Sequence, residues 1–290
     1  MFDFDILDSK TLLGESGFYL QKTNEIVFLD LFDTSIIFYS IDNKTLIKNK
    51  LKLRKPLGNV YPLVDGKFII SCFDGLYIYD RNKNTLKYYL DIRKKNELKD
   101  ISYNDGTITK NKLWVGLCHI KETEDLGYFG YLQNKKFIEI DKGFKVSNGP
   151  AIDEKLNNLY FSDSFNSSIY RYNLKTLKRN VLYKFNVKQG FPDGIALDNQ
   201  NGLWVAHWAG AQVSRINLKT KKIDFNIKIP AFNITSVSFV GKELRHIFVT
   251  SAKIETSKTQ LQEYKHSGSS FIIKTNYQGL KIPYSNLRIK

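Results

Sequence analysis

Residues 190–208 read GFPDGIALDNQNGLWVAHW. Two turn signals divide this stretch, Pro192-Asp193-Gly194 at its start and Asn201-Gly202 near its middle. Short β-rich runs follow each of them. The pattern continues to residue 229 through turn AGA, strand QVSRIN, turn LKTK and strand KIDFNIKI. Four antiparallel strands in about 44 residues is the size of one blade of a β-propeller. Asp193 is ambiguous at this level, because the same acid can form a turn or serve as a functional carboxylate.

The unit recurs. TNEIVFLDL, DGKFIISCF, KNKLWVGLC, LNNLYFSDS, QNGLWVAHW and LRHIFVTSA align on Ile26, Phe68, Leu113, Leu159, Leu203 and Ile247, with spacings of 42, 45, 46, 44 and 44 residues. Each copy is followed by a second pattern of strand, Asn/Lys/Thr turn and return strand, from FYSIDNKTLI (38–47) to FIIKTNYQGLKI (271–282). These are hairpin signals, and no segment shows a capped helical period. The expected fold is all-β: one domain over residues 1–290, a six-bladed β-propeller with four-stranded antiparallel blades around a central channel. The N-terminal strand FDFDILD and the C-terminal tail fall near the closure of the ring. A pair of β-sandwiches would not require six copies in phase.

The net charge is +15. Its lysines concentrate in the recurring outer turns, which predicts a solvated rim and not a nucleic-acid stripe. No apolar run reaches the roughly 18–20 residues needed to span a bilayer. The acidic N-terminus has no apolar signal region. The two cysteines, Cys72 and Cys118, form no framework and fit a reducing compartment. The expectation is a cytoplasmic protein, monomeric or weakly oligomeric, without nucleic-acid or membrane partners.

In a propeller the first strand of each blade lines the channel. The residues entering those strands are Glu15, Asn59, Asn104, Asn148, Asp193 and Thr235/Ser236. Asn and Asp at strand starts are also ordinary turn chemistry, but Glu15 is no turn-former, and recurrence in six blades gathers these groups at one end of one channel. Such an all-oxygen set suits a hard divalent cation such as Ca²⁺, Mg²⁺ or Mn²⁺. There is no GxSxG elbow, P-loop or HExxH motif. His207 and both cysteines read as core residues, and Trp204 and Trp208 as packing residues.

The segments LGESGFYLQKTNEIVFLDL, YNDGTITKNKLWVG, SNGPAIDEKLNNLYFSDSFNSSIYRY and GFPDGIALDNQNGLWVAHWAGAQVSRI, in this order, resemble the regucalcin/gluconolactonase family of sugar lactonases along nearly the whole chain. The resemblance implies a six-bladed propeller with one divalent metal (Ca²⁺, Zn²⁺, Mn²⁺, Mg²⁺ or Fe²⁺) held by Glu15, Asn148 and Asp193. It implies hydrolysis of a sugar lactone, an aldonolactone of the gluconolactone type, to the open acid. Asp193 would double as general base. Asn104, Ser102 and Glu122 would contact the substrate. Ser102 stands where many members carry an Arg, which leaves substrate preference open. Ser16-Gly17 and Tyr19 replace the usual Gly-Pro and Trp. The alternatives are a non-catalytic metal-binding propeller, acting as sensor or scaffold, and a hydrolase of another ester or a phosphotriester.

Overall fold

The computed structural model describes residues 3–97 and 99–287. Strand β1 (Phe4–Leu7) comes first. Blade 1 is β2–β5 (Gly14–Leu20, Glu25–Asp30, Ser35–Ser40, Thr45–Lys50), and blade 2 is β6–β9 (Leu57–Pro62, Phe68–Cys72, Gly75–Asp80, Thr85–Leu90). Blade 3 is β10–β13 (Ile101–Thr109, Lys112–His119, Gly127–Gln133, Lys136–Phe144), and blade 4 is β14–β17 (Ser147–Asp153, Asn158–Asp163, Ser168–Asn173, Arg179–Lys184). Blade 5 is β18–β21 (Phe191–Leu197, Gly202–Trp208, Gln212–Asn217, Lys222–Lys228), and blade 6 contains β22–β24 (Asn233–Val240, His246–Ala252, Ser270–Lys274). Each of the six sheets has four strands.

Blades 1–5 are consecutive meanders, but blade 6 has the order β1-β24-β23-β22. Its outer strand comes from the N-terminus, with Phe4 opposite Ile273 and Leu7 opposite Ser270. This corrects one expectation. FIIKTNYQGLKI is not a hairpin with a return strand, because the chain leaves the sheet after Lys274. It continues as an irregular strap. Leu280 donates its N–H to the Leu197 carbonyl in blade 5, Ser285 to Pro62 in blade 2, and Asn286 to Lys110 in blade 3. The strap thus crosses the end of the channel away from the strand entries.

The strands form where the sequence alternates or runs apolar, and burial follows position in the blade. Second strands such as β3 and β19 are buried almost throughout. The outer strands β5, β9 and β21 are half-exposed and carry the lysines. A middle strand faces neighbouring blades on both sides, so both of its faces must be apolar. Within blade 3, Trp114 stacks on Phe129 at 5.7 Å, and Phe129 meets Phe161 of blade 4 at 5.1 Å. Between blades 5 and 6, Trp204 meets Phe239 edge-on at 5.7 Å. His207 and Trp204 are fully buried, and Cys72 and Cys118 are buried free thiols. Among the described residues no helix is long and apolar enough to cross a membrane.

The β18–β19 connection is built from the residues read as a turn. Asn201 takes φ 59°, and Asp198 donates its N–H to the Gly202 carbonyl at 2.9 Å. Beneath it, buried Asp198 accepts from Trp204 Nε1 at 2.8 Å and from Arg215 Nε at 2.8 Å.

Candidate active site

All six inner strands carry the same irregularity. Each pairs with its neighbour through a bulge in which two residues oppose one. Ser16-Gly17 oppose Phe28, Asn104-Asp105 oppose Gly116, and Asp193-Gly194 oppose Ala206. A regular strand sends consecutive side chains to opposite faces. A bulge breaks that alternation, so neighbours can both reach the channel. Gly194 shows how tightly the strands then converge: a Cβ there would sit 2.6 Å from the Ser236 Cβ.

A cavity of about 360 Å³ lies at the end where the inner strands begin, and Glu15, Asn104, Asp105, Glu122, Asn148 and Asp193 line it. A second cavity of about 290 Å³ occupies the strap end, with Asn59 and Ser236 on its wall, and Asp105 lines both. The six expected channel positions therefore divide between two cavities. Their places relative to the bulge explain the division. Glu15 and Asn148 precede it, Asn104 and Asp193 are its first residue, and Asn59 and Ser236 are its second. Thr235 turns away, bonding the Gly14 carbonyl at 2.5 Å and the Thr250 hydroxyl at 2.8 Å. Ser102 is 2% exposed, is not among the residues lining either cavity, and donates to the Tyr103 carbonyl at 3.3 Å.

A hydrogen-bond chain orients the two asparagines. Ser164 Oγ donates to the Pro192 carbonyl at 2.7 Å, so it accepts from Asn148 Nδ2 at 3.0 Å. That sets Asn148 Oδ1 toward Asn104, whose Nδ2 donates to it at 2.7 Å and to the Ser147 carbonyl at 2.8 Å. Both Asn104 amide protons are spent, which leaves its oxygen as the remaining polar atom. The Asp193 backbone carbonyl is held by Ser162 Oγ at 2.8 Å.

The acids are electrostatically crowded. Burial pushes the Asp193 carboxyl well above its ordinary range, and the charges of Glu15, Asp105 and Glu122 push it further. Glu15 is raised by burial and then by Asp105, against the pull of the Ser16 N–H and the Ser236 hydroxyl. Burial raises Asp105 to about 7, although the N–H groups of Gly106 and Gly149 and the Asn59 amide favour its charged form. Asn59 Nδ2 donates to Asp105 Oδ1 at 2.7 Å. Among the described residues no Lys or Arg lines this cavity.

This donor set fits a hard divalent cation. Two buried carboxylates repel each other across a desolvated space, with an amide oxygen beside them and no Lys or Arg among the described lining residues to offset them. Among the described residues no three His, Cys, Asp or Glu side chains form a metal cluster by themselves. The fit therefore depends on the asparagine oxygen.

Asp105 was not picked out from the sequence. It follows Asn104 directly, and strand alternation assigns the two to opposite faces; only the bulge puts both on the cavity. Its raised pKa carries a consequence. An acid raised on folding stabilises the fold at low pH, and that contribution is lost as pH rises through the folded value. In chelator, the stability of Asp105→Asn relative to wild type should therefore rise between about pH 4 and about pH 7. Thermal melts of both proteins across that range check this. A difference that stays flat with pH contradicts it.

Glu122 arrives on a loop pinned by His119. The His119 Nδ1 accepts from Thr123 N at 3.3 Å, from Thr123 Oγ1 at 3.1 Å and from Glu124 N at 3.3 Å, and the Glu122 N–H reaches the His119 carbonyl at 2.8 Å. His119→Phe removes the acceptor, whereas His119→Asn offers an oxygen in nearly the same place. Proteolysis within residues 120–126 should quicken several-fold in the first variant and stay near wild type in the second.

The sequence model described as "SMP-30/Gluconolactonase/LRE-like region" matches residues 13–253. The chain is 32% identical over 281 residues to regucalcin of Bos taurus, covering 90% of each chain. It is 24% identical over 285 residues to 6-deoxy-6-sulfogluconolactonase of Pseudomonas putida, covering 96% of each. The solved structure of a luciferin-regenerating enzyme superposes with a TM-score of 0.90 at 21% identity, over 99% of this chain and all of the other. With the fold, the repeats and the family match in agreement, this chain belongs to the SMP-30/gluconolactonase/LRE-like family.

Proposed function

We propose that the protein is a lactonase that opens an aldonolactone of the gluconolactone type to its acid with the help of one divalent cation. One observation carries this reading. Glu15 and Asp193 line one buried cavity beside an asparagine oxygen, with no Lys or Arg among the described residues that line it, and this supports the reading. Family membership supports the reaction class, since relatives named as gluconolactonases share the architecture.

Glu15, Asn148 and Asp193 would hold the ion. When bound, it supplies Lewis-acid polarisation of the lactone carbonyl and lowers the pKa of a coordinated water. Asp193 is the general base. A carboxylate oxygen takes the proton as the water oxygen bonds to the carbonyl carbon, and that proton passes to the ring oxygen as the acyl C–O bond breaks. Asn104 positions the substrate through its free amide oxygen. Glu122 accepts a hydroxyl hydrogen bond from the rim. With the cation bound, the raised pKa of Asp193 falls back toward the carboxylate range, since a nearby positive charge favours the charged form.

The test is proton release from δ-gluconolactone and related five- and six-ring aldonolactones, with and without chelator, beside an aromatic ester and a phosphotriester. Turnover of lactones that chelator abolishes and added Ca²⁺, Mn²⁺ or Zn²⁺ restores is the expected result. Turnover untouched by chelator removes the cation from the mechanism. Hydrolysis of only the phosphotriester replaces the reaction class, and cation binding without hydrolysis leaves a sensor or scaffold.

A further inference from the structure

The cavity has two chemically different parts. Its floor is the set of oxygen groups on the bulges. Its sides come from connecting segments at the same end of the ring: Phe32 between β3 and β4, Phe165 between β15 and β16, Phe191 at the start of β18 and Trp208 at the end of β19, with Leu31 and Ile254 beside them. Phe165 and Phe191 lie with ring centroids 6.1 Å apart. Phe32 is 39% exposed and Phe165 48% exposed. Two large rings are thus held open to solvent beside a polar floor, where the blade core needs neither.

The charges on the sides are of one sign. Glu122 and Glu255 both line the cavity and their charges oppose each other. Among the described residues no Lys or Arg lines it, and the Lys145 ammonium that approaches the Phe165 ring at 5.8 Å is not among the lining residues. Ser164 has its hydroxyl committed at both donor and acceptor sites. An anionic substituent on the substrate would meet two carboxylates without a counter-charge. A purely hydroxylated one would leave the aromatic side without a partner. An apolar group extending from the ring would cover it.

We propose that the preferred substrate is an aldonolactone whose ring carries an apolar substituent, seated against Phe32, Phe165, Phe191 and Trp208 while the ester group lies on the acid floor. This rests on the lactonase reading and narrows it. Each methylene moved from water to an apolar wall is worth about fourfold in affinity. A pentyl chain with half of its carbons covered therefore gains roughly 30-fold.

The experiment compares kcat/KM for δ-valerolactone, its pentyl-substituted form δ-decalactone and δ-gluconolactone, using the cation-loaded protein. δ-Decalactone should exceed δ-valerolactone by roughly 30-fold. Phe165→Ser should cut that ratio at least fivefold, and Phe32→Ser should cut it in the same direction; both positions are exposed enough for the variants to fold. Equal kcat/KM for the two simple lactones, or a ratio that neither variant changes, overturns the proposal while leaving lactone hydrolysis intact. If no lactone is turned over, the reaction class fails. Calorimetry with δ-valerolactam and its pentyl-substituted form then decides the apolar wall separately. Tighter binding of the pentyl form, weakened in Phe165→Ser, supports the wall, and equal binding refutes it.

Discussion

Asp193→Asn is expected to lower lactone turnover by about 10³-fold while the protein stays folded. The substitution keeps the shape of the side chain and leaves the backbone bond from Ser162 Oγ to the Asp193 carbonyl in place. It removes the proton acceptor and one of the two charges facing a bound cation. General-base loss alone costs about 10²–10⁴-fold, and weakened cation binding adds to it. The variant should also behave differently from wild type without metal. Glu15, Asp105 and Glu122 all push the Asp193 carboxyl toward its neutral form, so a neutral amide relieves repulsion. In chelator above neutral pH, Asp193→Asn should melt higher than wild type, and saturating cation should reverse that order. Circular dichroism melts and proton-release assays measure both effects. Wild-type turnover in the variant would remove Asp193 from the chemistry.

The second large effect concerns stability. Arg215→Leu is expected to destabilise the protein by about 3–5 kcal/mol, because it leaves a buried carboxylate without its counter-charge. Asp198 is 3% exposed. Its Oδ2 accepts from Arg215 Nε and Trp204 Nε1, and its Oδ1 from the Gly202 and Gln200 N–H groups, at 2.8 Å in each case. The guanidinium also lies 4.0 Å from the centre of the Tyr277 ring and pairs with Asp224. Removing it strands the Asp198 charge and opens space beneath Tyr277. The melting temperature should fall by roughly 10 °C. Asp198→Asn added to Arg215→Leu should recover part of the loss, since an amide needs no counter-ion. Neither residue lines the acid cavity, so turnover at temperatures where the variant is folded should stay within a few-fold of wild type.

The blade count was legible because period and polarity agree. Each copy has one apolar run, bounded by residues that favour turns, and a propeller is the closed arrangement in which such units bury their faces against one another. The Asn201-Gly202 turn was legible for the same local reason. The last outer strand was not, since its partner lies at the other end of the chain and no spacing rule links Phe4 to Ile273. Glu15, Asn104, Asn148 and Asp193 could be found as polar residues at strand entries. Asp105 could not, because a bulge is a property of two strands and not of one segment. The aromatic side of the cavity was hidden differently. Trp208 reads as packing from its sequence neighbours, and only the ring geometry brings Phe32, four repeats away in sequence, to the same wall.

The exchange of β1 into blade 6 has a consequence for how the protein is made. On the ribosome β1 emerges before the other strands, yet its ladder partner β24 ends at Lys274. Blades 1 to 5 can each form as their residues emerge, whereas the first strand stays unpaired until nearly the whole chain has been translated. Its middle residues, Asp5 and Ile6, are exposed even in the finished ring. An acidic residue on that waiting edge discourages pairing with other nascent chains. The earliest of these strands docks only once β24 exists, and a chain whose synthesis stops short of β24 leaves it without a partner.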